Sequence, residues 1–358
     1  MLSKVSISDI TLNAKTFFVL AFIAAVCLFE TGCGISEDVP CSSSDTRLYF
    51  DTSVTITIFD DDKDRCEALL ESCFDICESS ERIFSAERKD SELCQLDNRE
   101  REEVTVSDGL ASCIQTGLEA GELSEGEFDI TILPVSSLWE FNGDNSEIPS
   151  DEDIREALLH VDSKSISLSG NTVRFSDPDT MIDLGAVAKG YISGTIKEYL
   201  NDQGCEGAVI NLGGNISTLG KKGDKPFTVG VRKPFGDRNE IAAKIILYDG
   251  CVISSGTYER CFTKNGKLYH HILSAKTGYP ADTSLSQVTL IGTDDKVCDT
   301  LSTVFMLTGR EKAEKILNDS EYDIKVIFTD NAGNMIFYDR LSGERELSFG
   351  DTLDLSHE

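Results

Sequence analysis

Ile324-Lys325-Val326-Ile327-Phe328-Thr329-Asp330-Asn331-Ala332-Gly333-Asn334-Met335-Ile336-Phe337-Tyr338 reads as two β-rich runs around a turn of Asp, Asn and Gly. Such a segment closes on itself as an antiparallel hairpin, because the turn residues tolerate the backbone that the strand residues avoid. Upstream, Val288 to Ile291 is a further strand, and Leu48 to Phe59 alternates apolar and polar residues around a β-branched run. Isolated helices lie between these strands. One runs from about Lys63 to Phe84, one is capped by Ser107 and carries Leu110, Cys113, Ile114 and Leu118, and a short one opens at Ser150 with Ile154 and Leu158. Further short strands are expected at Ser165 to Leu168 and Thr172 to Phe175. Hairpin strands alternating with separate helices indicate an α+β fold, with mixed, largely antiparallel sheets flanked by helices.

The 358 residues are enough for one elaborate domain or two tightly packed ones. Asp and Glu number 63 against 33 Lys and Arg, a formal charge of −30 that repels phosphate backbones, so nucleic acid is excluded as a partner. An anionic ligand needs local cations to bind against that field. At the start, Lys4 and Lys15 precede the apolar run Phe17 to Phe29 and then Glu30-Thr31-Gly32-Cys33. This pattern indicates a signal peptide over 1–32 and export to the periplasm or the outer face of the membrane. Thr31-Gly32-Cys33 resembles the end of a bacterial lipobox, with a lipid anchor at Cys33 as its implication. Glu30 stands where that motif has an apolar residue, which leaves simple secretion or an uncleaved anchor open. Residues 33–46 read as a tether, 47–345 as the folded domain, and 346–358 as a polar tail. Of twelve cysteines, Cys66, Cys73 and Cys77 share a helical face with Leu69, Leu70 and Phe74, where thiols act as small apolar groups. Any disulfide pairing is illegible.

Three turns attract chemical interest. Met181 to Tyr191, with Asp183, Gly185, Ala186, Lys189 and Gly190, leads from an extended run into a helix, whose free N–H groups and Lys189 suit a phosphate. A glycine packed where helix meets sheet is the competing reading. Gly213-Gly214 ends a buried-looking strand, and allows either close approach to a ligand or a tight hairpin. The third is Tyr269-His270-His271-Ile272-Leu273-Ser274-Ala275-Lys276-Thr277-Gly278-Tyr279-Pro280, holding two of the four histidines. Histidine titrates near neutrality, although the pair also fits a strand with one ring packed and one solvated. Finally, Asp299 and Thr303 fall one helical turn apart and share a face, two oxygen donors that suit a hard cation such as Mg²⁺. Asp299 alone also reads as a helix cap.

These pieces occur in one order that resembles the ApbE family of FAD:protein FMN transferases. The matching segments are Asp90-Ser91-Glu92-Leu93, Gly126 to Trp139, Asp183 to Tyr191, Asn211 to Ile216, Ser255 to Arg260, Tyr269 to Pro280, and Asp299 to Thr303. The resemblance implies an exported enzyme that splits FAD with Mg²⁺ and attaches FMN by a phosphodiester bond to a Thr or Ser of an exported flavoprotein, releasing AMP. Some relatives instead hydrolyse FAD to FMN and AMP, and a flavin-binding lipoprotein without turnover is a third possibility. By the same resemblance Phe128, Asp129, Asp183, Lys189 and the backbone near Leu273 would contact FAD. Asp299, Thr303 and main-chain oxygens near Ala186 and Ser302 would hold the metal, and His271 would be the general base. Departures from the family pattern are Ser274-Ala275 in place of Asp-Pro, Thr257 and Gly194 in place of Asp, and Phe50-Asp51-Thr52 in place of Met-Gly-Thr. The site is expected in a cleft where the Gly185, Gly213 and His271 turns converge.

Overall fold

Nine antiparallel strands form the main sheet of the computed structural model, which describes residues 40–141, 146–237 and 239–357. In chain order the elements are β1 (Cys41–Tyr49), β2 (Thr52–Asp60), α1 (Lys63–Phe84), α2 (Glu92–Asp97), β3 (Glu103–Thr105), α3 (Asp108–Leu123), α4 (Leu133–Ser136), α5 (Asp151–Ala157), β4 (Ile166–Ser169), β5 (Thr172–Phe175), α6 (Ala188–Asp202), β6 (Gly207–Leu212) and β7 (Asn215–Gly220). They continue with β8 (Phe227–Arg232), β9 (Ile241–Leu247), β10 (Gly250–Gly256), β11 (Cys261–Lys264), β12 (Lys267–His270), β13 (Leu285–Gly292), α7 (Asp295–Thr308), α8 (Arg310–Asp319), β14 (Lys325–Asp330), β15 (Met335–Asp339), β16 (Gly343–Leu347) and β17 (Asp351–Asp354). The large sheet has the order β1-β2-β6-β7-β10-β13-β14-β15-β16, and smaller sheets are β17-β9-β8, β3-β5-β4 and the hairpin β11-β12.

Because side chains alternate along a strand, the large sheet presents two apolar faces. One carries Ile56, Ile210, Ile253, Val288 and Val326 against α1, α6 and α7, on which α3 packs in turn. The other carries Val252, Ile291, Ile327 and Phe337 against Val231, Ile245 and Leu353 of the three-stranded sheet. Covered on both faces, β13 is buried over seven of its eight residues. The layers are therefore helices, large sheet, small sheet, as the alternation of helices and hairpins indicates. Among the described residues the single parallel pair is β17 with β9.

Three expectations change. The tether ends earlier than 46, since Cys41–Tyr49 pairs along β2, with Ser44 bonded to Thr57 and Thr46 to Thr55 through their hydroxyls at 2.8 Å. Serines and threonines give this edge strand cross-strand partners without any apolar signal. Phe50 and Asp51 make its two-residue turn, both with φ above +50°. Residues 346–358 are not merely a polar tail, because Leu353 is 1% exposed in the second core. The helix bearing Asp299 begins at Asp295 under an Asp294 cap, so Asp299 lies inside it and is no cap itself. The signal segment and Cys33 lie outside the described residues. The ten described cysteines are free thiols, and Cys66, Cys73 and Cys77 are buried together as the helical spacing implies.

Candidate active site

Asp299 sits where α7 crosses α6, and the crossing is made close by a glycine. A Cβ on Gly190 would stand 2.6 Å from Asp299 Cβ and 2.7 Å from Lys296 Cα, so no side chain fits there. That approach lets Gly190 N–H donate to Asp299 Oδ2 at 2.8 Å. From the other side Asn215 Nδ2, at the start of β7, donates to Oδ1 at 2.7 Å. Lys189 Nζ stands 3.7 Å from Oδ1 and donates to Gly185 O at 2.8 Å. Burial pushes the Asp299 pKa above the usual carboxylate range, while Lys189, Gly190 N–H and Asn215 pull it back. A cation beside it therefore gains by holding the charged form. Gly190→Ala is expected to force the helices apart and cost about 1–3 kcal/mol, read as a fall in Tm with loss of activity.

The hydroxyls lie one turn on. Ser302 Oγ, fully buried, donates to Asp299 O at 2.8 Å, and Ser255 Oγ at the end of β10 lies 2.7 Å from Ser302 Oγ and 3.3 Å from Thr303 Oγ1. Ala186, half-buried, is in the turn beside Gly185. The Asp299 carboxylate and the Ser255, Ser302 and Thr303 hydroxyls are all oxygen donors, the kind a hard cation such as Mg²⁺ takes.

Two further loops join this centre. Asp183 Oδ1 accepts from Gly185 N–H at 2.8 Å and its Oδ2 from Ser136 Oγ at 3.2 Å, so it shapes the 183–186 turn. Asp183 N–H donates to Ile130 O at 2.7 Å, and Ala275 N–H to Glu127 O at 3.0 Å. The 127–130 segment thus lies between the Asp183 turn and the histidine loop. Its Asp129 has both oxygens occupied, by Thr131 N–H and Oγ1 and by Ser163 N–H. Phe128 is buried in the core, and the Leu273 side chain packs with Val135, Trp139 and Ile154. Of the expected FAD contacts, Phe128, Asp129 and Leu273 are engaged in internal hydrogen bonds and packing, Asp183 shapes its turn, and Lys189 brings an ammonium to the Asp299 junction.

The strand reading holds for His270, the last residue of β12, whereas His271 lies just beyond the strand and its ring is not simply solvated. His270 is 5% exposed, with Nε2 3.2 Å from Ala281 O. His271 is half-buried, and Arg260 O takes both its backbone N–H at 3.1 Å and its Nδ1 at 3.3 Å. A carbonyl can only accept, so Nδ1 carries the proton and Nε2 keeps its lone pair. Burial pulls the His271 pKa down to about 3, with the Arg260, His270 and Lys189 charges adding to it. The imidazole is a neutral base at physiological pH.

The Gly213-Gly214 pair resolves as the tight hairpin between β6 and β7, with φ of 62° and 105°, and Gly213 packs on Thr52. What this hairpin contributes is Asn215. No spacing rule singled it out, although a polar residue entering a buried strand right after two glycines is a signal. Ser255 was likewise hidden inside a strand. At the departures, Ser274 Oγ donates to Glu127 Oε2 at 2.7 Å and Lys276 pairs with Glu127 at 3.0 Å, while Thr257 is bonded to Ser286 O.

Upstream of the Asp183 turn, Asp97 Oδ1 accepts from Ile182 N–H at 2.8 Å. Burial pushes its pKa up to about 7, Asp183 adds to the rise, and Ile182 N–H and Arg99 oppose it. The folded form holds a proton that the unfolded chain releases near pH 4, so stability falls as pH rises from about 4 to about 7. Asp97→Asn removes that titration, and its stability advantage over wild type in denaturant unfolding should grow across this window, by on the order of 1 kcal/mol per pH unit.

The sequence profile of the ApbE family matches residues 50–328. The FAD:protein FMN transferase of Klebsiella pneumoniae (strain 342) is 33% identical over 315 residues, spanning 86% of this chain and 95% of that protein. The one from Treponema pallidum is 31% identical over 269 residues, 70% of this chain and 74% of that protein. The crystal structure of the ApbE protein from Thermotoga maritima superposes with a TM-score of 0.73 at 29% identity, covering 82% of this chain and 96% of that one. The apo flavinyl transferase ApbE of Pseudomonas stutzeri superposes at 0.70 with 22% identity, over 86% and 95%, a likeness of fold.

Proposed function

The chain belongs to the ApbE family, and from that membership we propose that it is an FAD:protein FMN transferase, moving FMN from FAD to a Thr or Ser hydroxyl of an exported flavoprotein and releasing AMP. The observation that carries this reading is the junction at Asp299, where a buried carboxylate, Lys189 and the 185–190 turn meet within hydrogen-bonding or ion-pair distance.

In this reading His271 Nε2 takes the proton of the acceptor hydroxyl, whose oxygen forms the new bond to the FMN phosphorus while the bond to the AMP phosphate breaks. Lys189 steadies the charge that passes to the departing phosphate. Asp299, Thr303 and main-chain oxygens near Ala186 and Ser302 would hold Mg²⁺, which when bound neutralises phosphate charge that a protein of this acidity would otherwise repel. The apolar run before Cys33 supports export as part of the same reading, with a lipid anchor at Cys33 as its further element.

Incubation of the full chain with FAD, Mg²⁺ and candidate exported acceptors tests it. A mass gain of one FMN on a Thr or Ser is expected. Release of FMN and AMP without acceptor labelling would reassign the site to FAD hydrolysis, and intact FAD throughout would overturn the enzyme reading.

A further inference from the structure

Resting on the reading of His271 as the base, we infer that Tyr258 is a positioning residue that sets which imidazole nitrogen of His271 is free to accept a proton. The link runs through the turn 257–260, which follows β10 and ends at the carbonyl holding His271. Each residue of that turn is pinned. Thr257 N–H donates to Ser286 O at 2.9 Å, and Glu259 pairs with Arg232 at 3.4 Å. Tyr258 is the wedge between these points. Its ring packs on Gly256, where an added Cβ would clash with ring atom Cε1 and stand 3.0 Å from Cδ1 and Cζ. Only glycine leaves room for the ring there.

Polar and aromatic contacts fix the ring from its other sides. Gln287 Nε2, on a residue 1% exposed, donates to the Tyr258 hydroxyl at 3.0 Å. The Arg232 guanidinium stands 5.1 Å over the ring face, and Phe235 meets it edge-on at 5.8 Å. Two residues later Arg260 O receives both the backbone N–H and Nδ1 of His271. Because Nδ1 is 3.3 Å from that oxygen, near the outer limit of a useful bond, a small shift of the carbonyl breaks it and leaves the ring free to exchange tautomers. Tyr258 touches no reacting atom in this scheme. It acts through Arg260.

The test is ¹⁵N NMR of the imidazoles of the full chain without FAD, His271 being assigned by the signal lost in His271→Gln. Wild type should show a protonated Nδ1 and a bare Nε2. Tyr258→Leu keeps apolar volume without a flat ring, and Gly256→Ala drives the ring away from the other side. Both should mix the two tautomers and lower kcat in proportion to the Nδ1-protonated fraction left, about 2- to 10-fold, with KM for FAD unchanged. Tyr258→Phe, which keeps the wedge, should restore most of both. A merely structural tyrosine would lower Tm and leave the tautomer alone. If either folded variant, Tyr258→Leu or Gly256→Ala, keeps the wild-type His271 spectrum and kcat, the inference is overturned. Failure of wild type to transfer FMN would instead sink the functional reading, and the spectra would still decide the role of Tyr258.

Discussion

Asp299→Asn should lower FMN transfer by on the order of 10³-fold or more while the chain stays folded. The size follows from charge. Cation-assisted stabilisation of a phosphoryl transfer is worth several kcal/mol, and about 1.4 kcal/mol is a factor of ten in rate. The amide has nearly the shape of the carboxylate but no charge to hold a divalent ion. Retention of the fold follows from the contacts: the amide oxygen can still accept from Gly190 N–H, and Asn215 can turn its own amide to meet the new NH₂. Burial already disfavours the charged carboxyl, so a neutral group costs little there. A Tm within a few degrees of wild type, together with lost transfer, is the expected pair of results. A variant with wild-type rates would show that Asp299 is only a structural acceptor.

His271→Gln should lower kcat about 10²- to 10⁴-fold with little change in KM for FAD, the range for removing a positioned general base. The pH profile gives an independent check. A base must be neutral to work, and burial holds the His271 pKa well below its ordinary 6.5. The wild-type rate should therefore show no fall through pH 6.5 on acidification, and any loss from this group should appear only near its depressed value. An inflection close to 6.5 that disappears in His271→Gln would mean that the imidazole is solvated and unperturbed.

Local signals in the sequence carried most of the architecture. Lys63–Phe84 is bounded as its periodicity indicates, Ser107 and Ser150 cap their helices through their hydroxyls, and the Asp330–Asn334 turn joins β14 to β15. Cys41–Tyr49 escaped because its pairing relies on hydroxyls and on β2 rather than on an apolar stripe. β17 escaped because one buried leucine among acidic residues has no periodicity to read. In the site, Asp299, Lys189 and His271 were legible through ordered motifs. Asn215, Ser255 and Arg260 lie in two of those motifs, Asn211 to Ile216 and Ser255 to Arg260, but the contacts they make were not legible, because these arise from strand register and from a turn that brings distant residues together. Gly190 shows the same limit: its need for a bare Cα comes from a helix more than a hundred residues away.

Titration of Mn²⁺ into the full chain in the presence of FAD, followed by EPR of the free ion, tests the junction at Asp299 most directly. One tight site per chain in wild type, lost in Asp299→Asn and unaffected by His271→Gln, is the result expected if the carboxylate and the Ala186 turn grip a single cation against the diphosphate. Equal Mn²⁺ uptake by wild type and Asp299→Asn would place the ion elsewhere and contradict the site.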